Sequence, residues 1–84
     1  RSRIFTVSVL LPDKPGELVR VAQIIANANG NVIKLDHNQF VSINRKATVE
    51  LRITIEAFGH EHKDQIVSEL EKNGLRPRLV KVNI

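Results

Sequence analysis

The run Leu11-Pro12-Asp13-Lys14-Pro15-Gly16-Glu17-Leu18 sets a carboxylate, a cation, two prolines and a glycine between an apolar strand pattern and an amphipathic helix pattern. Pro15 has φ fixed near a helical value and suits the first helical turn. It biases Lys14 towards an extended conformation, which makes the turn sharp. Gly16 then falls inside the first helical turn, where glycine is a poor helix former. Close approach of another group to the backbone would account for a missing side chain there. A helix N-terminus also presents unpaired N–H groups and a partial positive charge, suited to a carboxylate or phosphate. The run is therefore a candidate site for a small anion or an amino acid. A tight strand-to-helix turn without a ligand explains the same residues, and both readings stand at this point.

Other chemistry has less support. No serine or cysteine nucleophile has a partnered base, and there is no phosphate-loop pattern or metal constellation. Glu50 and Glu56 share one strand face but stand too far apart to share a proton, so they read as solvent or interface charges. His60 and His62 form His-x-His at a helix start; two apart on a helix, they point to different faces, which disfavours a metal site. His37 has the parity of Ile33 and Leu35 and reads as a hydrogen-bonded histidine at the rim of the core.

The elements that must position these residues follow from periodicity. Residues 3–11 read as a strand, with Phe5, Val7, Val9 and Leu11 alternating with Thr6, Ser8 and Leu10. Residues 15–29 read as a helix whose apolar face is Leu18, Val21, Ala22, Ile25 and Ala28. Gly30 is placed to stop it at a left-handed cap. Residues 31–41 read as a second strand, with Ile33, Leu35 and Val41 on one face and Lys34, Asp36 and Asn38 on the other. Residues 42–45 read as a hairpin loop. Residues 46–58 read as the clearest strand, with Val49, Leu51, Ile53 and Ile55 alternating with Thr48, Glu50, Arg52, Thr54 and Glu56. Residues 60–73 read as a second helix with Ile66, Val67 and Leu70 as its apolar contacts, ended by Asn73-Gly74. Residues 75–84 read as a last strand, moved to a sheet edge by Pro77. The order β-α-β, β-α-β predicts an α+β, ferredoxin-like four-stranded antiparallel sheet with both helices on one face.

Composition bounds the rest. The chain has 84 residues, enough for a single domain over residues 1–84. A chain of this size buries only about 60–65% of its unfolded surface, which favours oligomerisation or attachment to a larger protein. The start Arg1-Ser2-Arg3 and the absence of methionine suggest a fragment of a longer polypeptide. The absence of cysteine excludes a disulfide framework and a thiolate metal site, and fits a cytoplasmic location. No apolar run has the length of a membrane span. Net charge is +4, and Lys72, Arg76, Arg78 and Lys81 are the nearest approach to a basic patch. That spread reads as a solvated edge rather than a nucleic-acid footprint, and three phenylalanines are too few for a base-stacking surface.

The first strand, the turn Asp13-Lys14-Pro15-Gly16-Glu17-Leu18 and the segment Gly30-Asn31-Val32 together resemble an ACT domain, over nearly the whole chain. The resemblance implies a small regulatory module that binds an amino acid where two copies meet. It implies a ligand site made of Leu11, Asp13, Lys14, Pro15, Gly16, Glu17 and Leu18 with Asn31, Val32 and Ile33. In that site Asp13 would hold the ligand ammonium or orient the loop, Gly16 would make room, and the Asn31 amide would hydrogen-bond the ligand. Local capping by Asp13 and Asn31 is the competing account of those two residues. More narrowly, Leu35-Asp36-His37-Asn38, the segment 50–56 and Gly59-His60-Glu61-His62 are similar to the C-terminal ACT domain of the threonine ammonia-lyase (threonine dehydratase) group. Members often carry arginine where Lys14 stands, and another where Gln39 stands. The resemblance implies that pyridoxal phosphate belongs to a catalytic domain absent from this chain, which itself would hold no cofactor and not be an enzyme.

Three functions are then in play. The first is amino-acid sensing by a homodimer or higher oligomer attached to a catalytic domain, its copies pairing through the sheet edge that the βαββαβ order gives residues 31–41. The second is a dimerisation module without a ligand. The third, an RNA-binding ferredoxin-like domain, is disfavoured because acids rather than aromatics occupy the polar face of residues 46–58.

Overall fold

A computed structural model of the chain describes residues 3–12, 14–41 and 47–80. Its elements run β1 (Arg3–Pro12), α1 (Glu17–Asn27), β2 (Asn31–Val41), β3 (Ala47–Ala57), α2 (His60–Lys72) and β4 (Arg78–Val80). The strands form one four-stranded sheet in the order β2-β3-β1-β4, every pair antiparallel. This is the predicted ferredoxin-like arrangement, with β2 and β4 at the edges.

Period-two alternation in β1 and β3 divides the sheet into two faces. Phe5, Val7, Val9 and Leu11 of β1 and Val49, Leu51, Ile53, Ile55 and Ala57 of β3 are buried. The register sets Val7 opposite Ile53 and Val9 opposite Leu51, so the central strands present one apolar surface to the helices. Val21 and Ile25 of α1, Ile66 and Leu70 of α2, and Leu75 complete a single core cluster. Complete burial of each large aliphatic side chain contributes about 1.5–3 kcal/mol before entropy is counted. The opposite face is polar: a Thr6–Thr54 hydroxyl pair at 3.0 Å bridges β1 and β3.

Five local expectations are corrected. The first helix begins at Glu17, not Pro15, because Gly16 has φ 89 and is its N-cap. It ends without a left-handed Gly30: Asn29 takes the positive φ of 64 instead. Asn29 N–H then bonds Ala26 O and Gly30 N–H bonds Ile25 O, both at 2.9 Å, a Schellman pattern. Gly30 is glycine for a different reason, since a Cβ there would lie 2.8 Å from Ile25 Cγ2 and 3.0 Å from Ile66 Cδ1. In β2 a bulge falls between Val32 and Lys34. It turns Ile33 outwards, 49% exposed, while Val32 and Leu35 both pack on the core. His37, expected at the core rim, is exposed. The last strand begins at Arg78 rather than Leu75, and residues 81–84, with Lys81 of the expected basic patch, lie outside the described residues. The expected loop at 42–45 lies outside the described residues.

Candidate functional site

The β1–α1 turn is built as a sharp reversal. Leu11 ends the core face of β1 at 2% exposure, so of the expected site residues it offers the turn only its backbone. Lys14 N–H donates to Pro12 O at 2.9 Å. Lys14, Pro15 and Gly16 are exposed. Arg20 N–H donates to Gly16 O at 2.9 Å, the first bond of the α1 ladder. Gly16 supplies no capping side chain, so the N–H groups of Leu18 and Val19 have no intrahelical partner. Glu17 adds an acid to the first turn and pairs with Arg20 at 3.5 Å. Leu18 and Val19, 40% and 67% exposed, place apolar surface beside those donors. The left-handed φ by itself calls for glycine at position 16, and among the described residues a Cβ there would meet no non-neighbouring atom within 4 Å. No described residue of this chain makes the close approach expected at Gly16. Asp13 lies outside the described residues.

The other half of the expected site begins β2. Asn31 Nδ2 donates to Glu56 Oε1 at 3.3 Å across the strands. Asn29, Asn31, Glu56, Ala57 and Phe58 enclose a small cavity of about 250 Å³. Val32 is half-buried on the core and Ile33 exposed. His62 braces this region. Phe58 N–H donates to His62 Nδ1 at 2.9 Å, which requires the ring proton on Nε2, where it bonds Ala28 O at 2.7 Å. The ring also stacks on Phe58 with centroids 5.1 Å apart. The His-x-His pattern thus divides its work: His62 ties the end of α1 to the start of α2, while His60 meets Arg3 at 3.3 Å and Asp64 at 3.6 Å. Among the described residues no group of three or more metal-ligating side chains occurs.

These two halves do not meet within one chain. β1 and β2 are each antiparallel to β3, so they run parallel to one another. Asn31 stands level with Glu56 and Ile4, whereas the turn emerges beyond Pro12, level with Thr48. From Ile4 to Pro12 the sheet advances about 25 Å. Lys14–Leu18 and Asn31 therefore occupy opposite ends of the sheet.

The polar sheet face holds a cluster that sequence patterning read only as surface charge. Ser8 Oγ donates to Glu50 Oε2 at 2.6 Å, and Arg52 Nε lies 3.3 Å from the same oxygen. The Glu50 side chain is only 14% exposed. The Ser8 hydrogen bond lowers its pKa from the ordinary value; burial opposes this, and Arg52 and Asn38 lower it further. Cross-strand pairing was the signal that could have located the cluster, since the register sets Ser8 opposite Arg52 and Leu10 opposite Glu50. The β3 strand offers this face Thr48, Glu50, Arg52, Thr54 and Glu56, with no aromatic for stacking a base. Among the described residues no helix is long and apolar enough to cross a membrane.

Comparison with known proteins places the fold. A family model described as ACT domain matches residues 5–75. No curated protein matches the sequence. Several solved structures share the fold at low identity. Prephenate dehydratase from Streptococcus mutans superposes with TM-score 0.72 at 17% identity, over 94% of this chain and 43% of that one. The ACT domain from GTP pyrophosphokinase of Chlorobium tepidum gives 0.70 at 12%, over 95% of this chain and 100% of that domain. Protein BT0572 from Bacteroides thetaiotaomicron gives 0.63 at 20%, over 94% of this chain and 49% of that protein. The chain thus spans about half, or less, of the longer proteins it resembles.

Proposed function

The chain belongs to the ACT domain family, and from that premise we propose that it senses a free amino acid and regulates an enzyme to which it is attached. The ligand site would form between two copies, from the Lys14–Leu18 turn with Asp13 of one and from Asn31, Val32 and Ile33 of the other. One observation carries this reading: the turn and Asn31 lie at opposite ends of the sheet, and β2 is an edge. An unpaired edge favours strand pairing with another chain. Two-fold, antiparallel pairing of two β2 edges reverses one sheet against the other. It carries the partner's start of β2 to the level of Val41, which pairs with Ala47 at the end where the turn emerges. Exposed Leu18 and Val19 would then face the exposed Ile33 across the interface.

The chemistry of an amino acid fits these groups. Its carboxylate suits the N–H groups at the start of α1 that have no intrahelical partner. Its ammonium suits Asp13, and the Asn31 amide can donate to one group or accept from the other. A ligand that favours one geometry of the pair would shift an attached enzyme between states. The runs noted above favour a threonine ammonia-lyase as that enzyme, with pyridoxal phosphate held in its catalytic domain and a branched-chain amino acid or threonine as the effector. Calorimetric titration with isoleucine, valine, leucine, threonine and serine tests the reading, together with sedimentation. The expected result is a dimer that binds at least one of the five. A dimer that binds none would favour the dimerisation module, a reading to which the self-sufficient φ of Gly16 already lends support. A monomer at high micromolar concentration would remove both.

A further inference from the structure

The basic residues gathered near the end of the sequence are divided by the fold. Lys72 pairs with Glu69 at 3.3 Å, whereas Arg76 and Arg78 have no ion-pair partner among the described residues. Both line one cavity of about 530 Å³, whose other walls are Ser8, Leu10, Glu50 and Gly74. The cavity has a structural origin. Pairing of β4 with β1 begins at Arg78, opposite Ser8. Continuing that register would set Arg76 opposite Leu10, but Pro77 cannot donate to a strand ladder. β1 therefore runs on past Ser8 without a β4 partner, and the space beside Leu10 stays open.

The charges around this gap do not cancel. Glu50 is already engaged by the Ser8 hydroxyl at 2.6 Å and by Arg52 at 3.3 Å, so its charge is matched within the sheet. Among the described residues Arg76 and Arg78 are left as two guanidinium groups without an ion-pair partner. Guanidinium forks take carboxylate and phosphate oxygens two at a time. Leu10, 61% exposed, supplies an apolar wall. We propose that this gap binds a small dianion, a phosphate monoester or a dicarboxylate, between Arg76 and Arg78 beside the unpaired end of β1. The site lies at the β4 edge, across the sheet from β2, and does not depend on the amino-acid reading.

Amide NMR titration of the chain with inorganic phosphate, and separately with succinate, at constant ionic strength tests this. Saturable shifts are expected at Leu10, Gly74, Arg76 and Arg78. Arg76→Gln, outside every strand, should weaken the affinity about tenfold or more, and Arg78→Gln should do the same. Arg3→Gln removes the same charge at the far end of β1 and should leave it unchanged. Saturation by phosphate alone would assign a phosphate monoester; saturation by succinate alone would assign a dicarboxylate; saturation by both would assign dianions generally. If Arg78→Gln disturbs the edge strand, the comparison of Arg76→Gln with Arg3→Gln decides. The proposal is overturned if neither probe saturates below about 10 mM, or if all three substitutions weaken binding equally.

Discussion

Gly16 and Gly30 have opposite reasons for being glycine, and substitution separates them. Gly16 has φ 89 and, among the described residues, open space where a Cβ would stand, while Gly30 is enclosed by Ile25, Ile55 and Ile66 side chains. Gly16→Ala should cost about 1–2 kcal/mol through the left-handed backbone, and Gly16→Asn should recover part of that, because asparagine tolerates this region. Gly30→Ala should cost about 1–3 kcal/mol through overpacking, and Gly30→Asn should be worse still. Urea unfolding of the four variants reads the difference; equal recovery by asparagine at both positions would contradict the assignment. Glu50 gives a pH signature at the same scale. Its folded pKa is lowered, first by the Ser8 hydrogen bond, against an ordinary value of 4.5. The stabilisation is therefore complete above that ordinary value and is lost as pH falls through the lowered folded value. Stability measured against Glu50→Gln should show a constant advantage near neutrality that shrinks in acid. An advantage independent of pH would mean that the ionised form is not the one held.

At the level of elements, both helices end in the same way. After α1, Asn29 and Gly30 donate back to Ala26 and Ile25; after α2, Gly74 and Leu75 donate back to Glu71 and Leu70. Asn29 has φ 64 and Gly74 φ 82. Asn29→Gly should hold or slightly raise the melting temperature, whereas Asn29→Ala should cost about 1 kcal/mol. A loss with glycine as large as with alanine would show that the Asn29 side chain, not its φ, matters. The Asn-Gly pairs made both stops legible, but they did not say which residue turns left-handed. At 29–30 the core needed the glycine one position later. The alternation of β1 and β3 was legible because one face is buried and the other polar. The bulge at Ile33 was not, since an inserted residue leaves the local pattern apolar and only the pairing with β3 reveals it. The His62 brace was equally hidden, because its partners Phe58 and Ala28 are backbone groups brought together by the fold.

The proposed amino-acid site makes sense only at the scale of two molecules. Leu11 through Leu18 were legible as a turn with anion chemistry, and Asn31 as the start of an edge strand. Their separation across the sheet was not, because it depends on β1 and β2 running parallel with β3 between them. That separation supplies a test that a site within one chain would fail. Asp13→Ala removes the proposed ammonium partner in the turn, and Asn31→Ala removes the amide at the start of β2. Losing one buried hydrogen-bond partner should weaken each variant's ligand binding by about 1–3 kcal/mol. Mixing the two variants and allowing subunits to exchange should restore strong binding. In a mixed pair, one site combines both altered halves and the other combines the intact turn of one chain with the intact Asn31 of its partner. With random exchange about half the pairs are mixed, so about a quarter of all sites should titrate with the original affinity. Recovery of that fraction by calorimetry, absent from either variant alone, is the expected outcome. If exchange is demonstrated by mass-tagged subunits and no strong sites return, the turn and Asn31 do not share a ligand, and the amino acid must be sought at one end of the sheet alone.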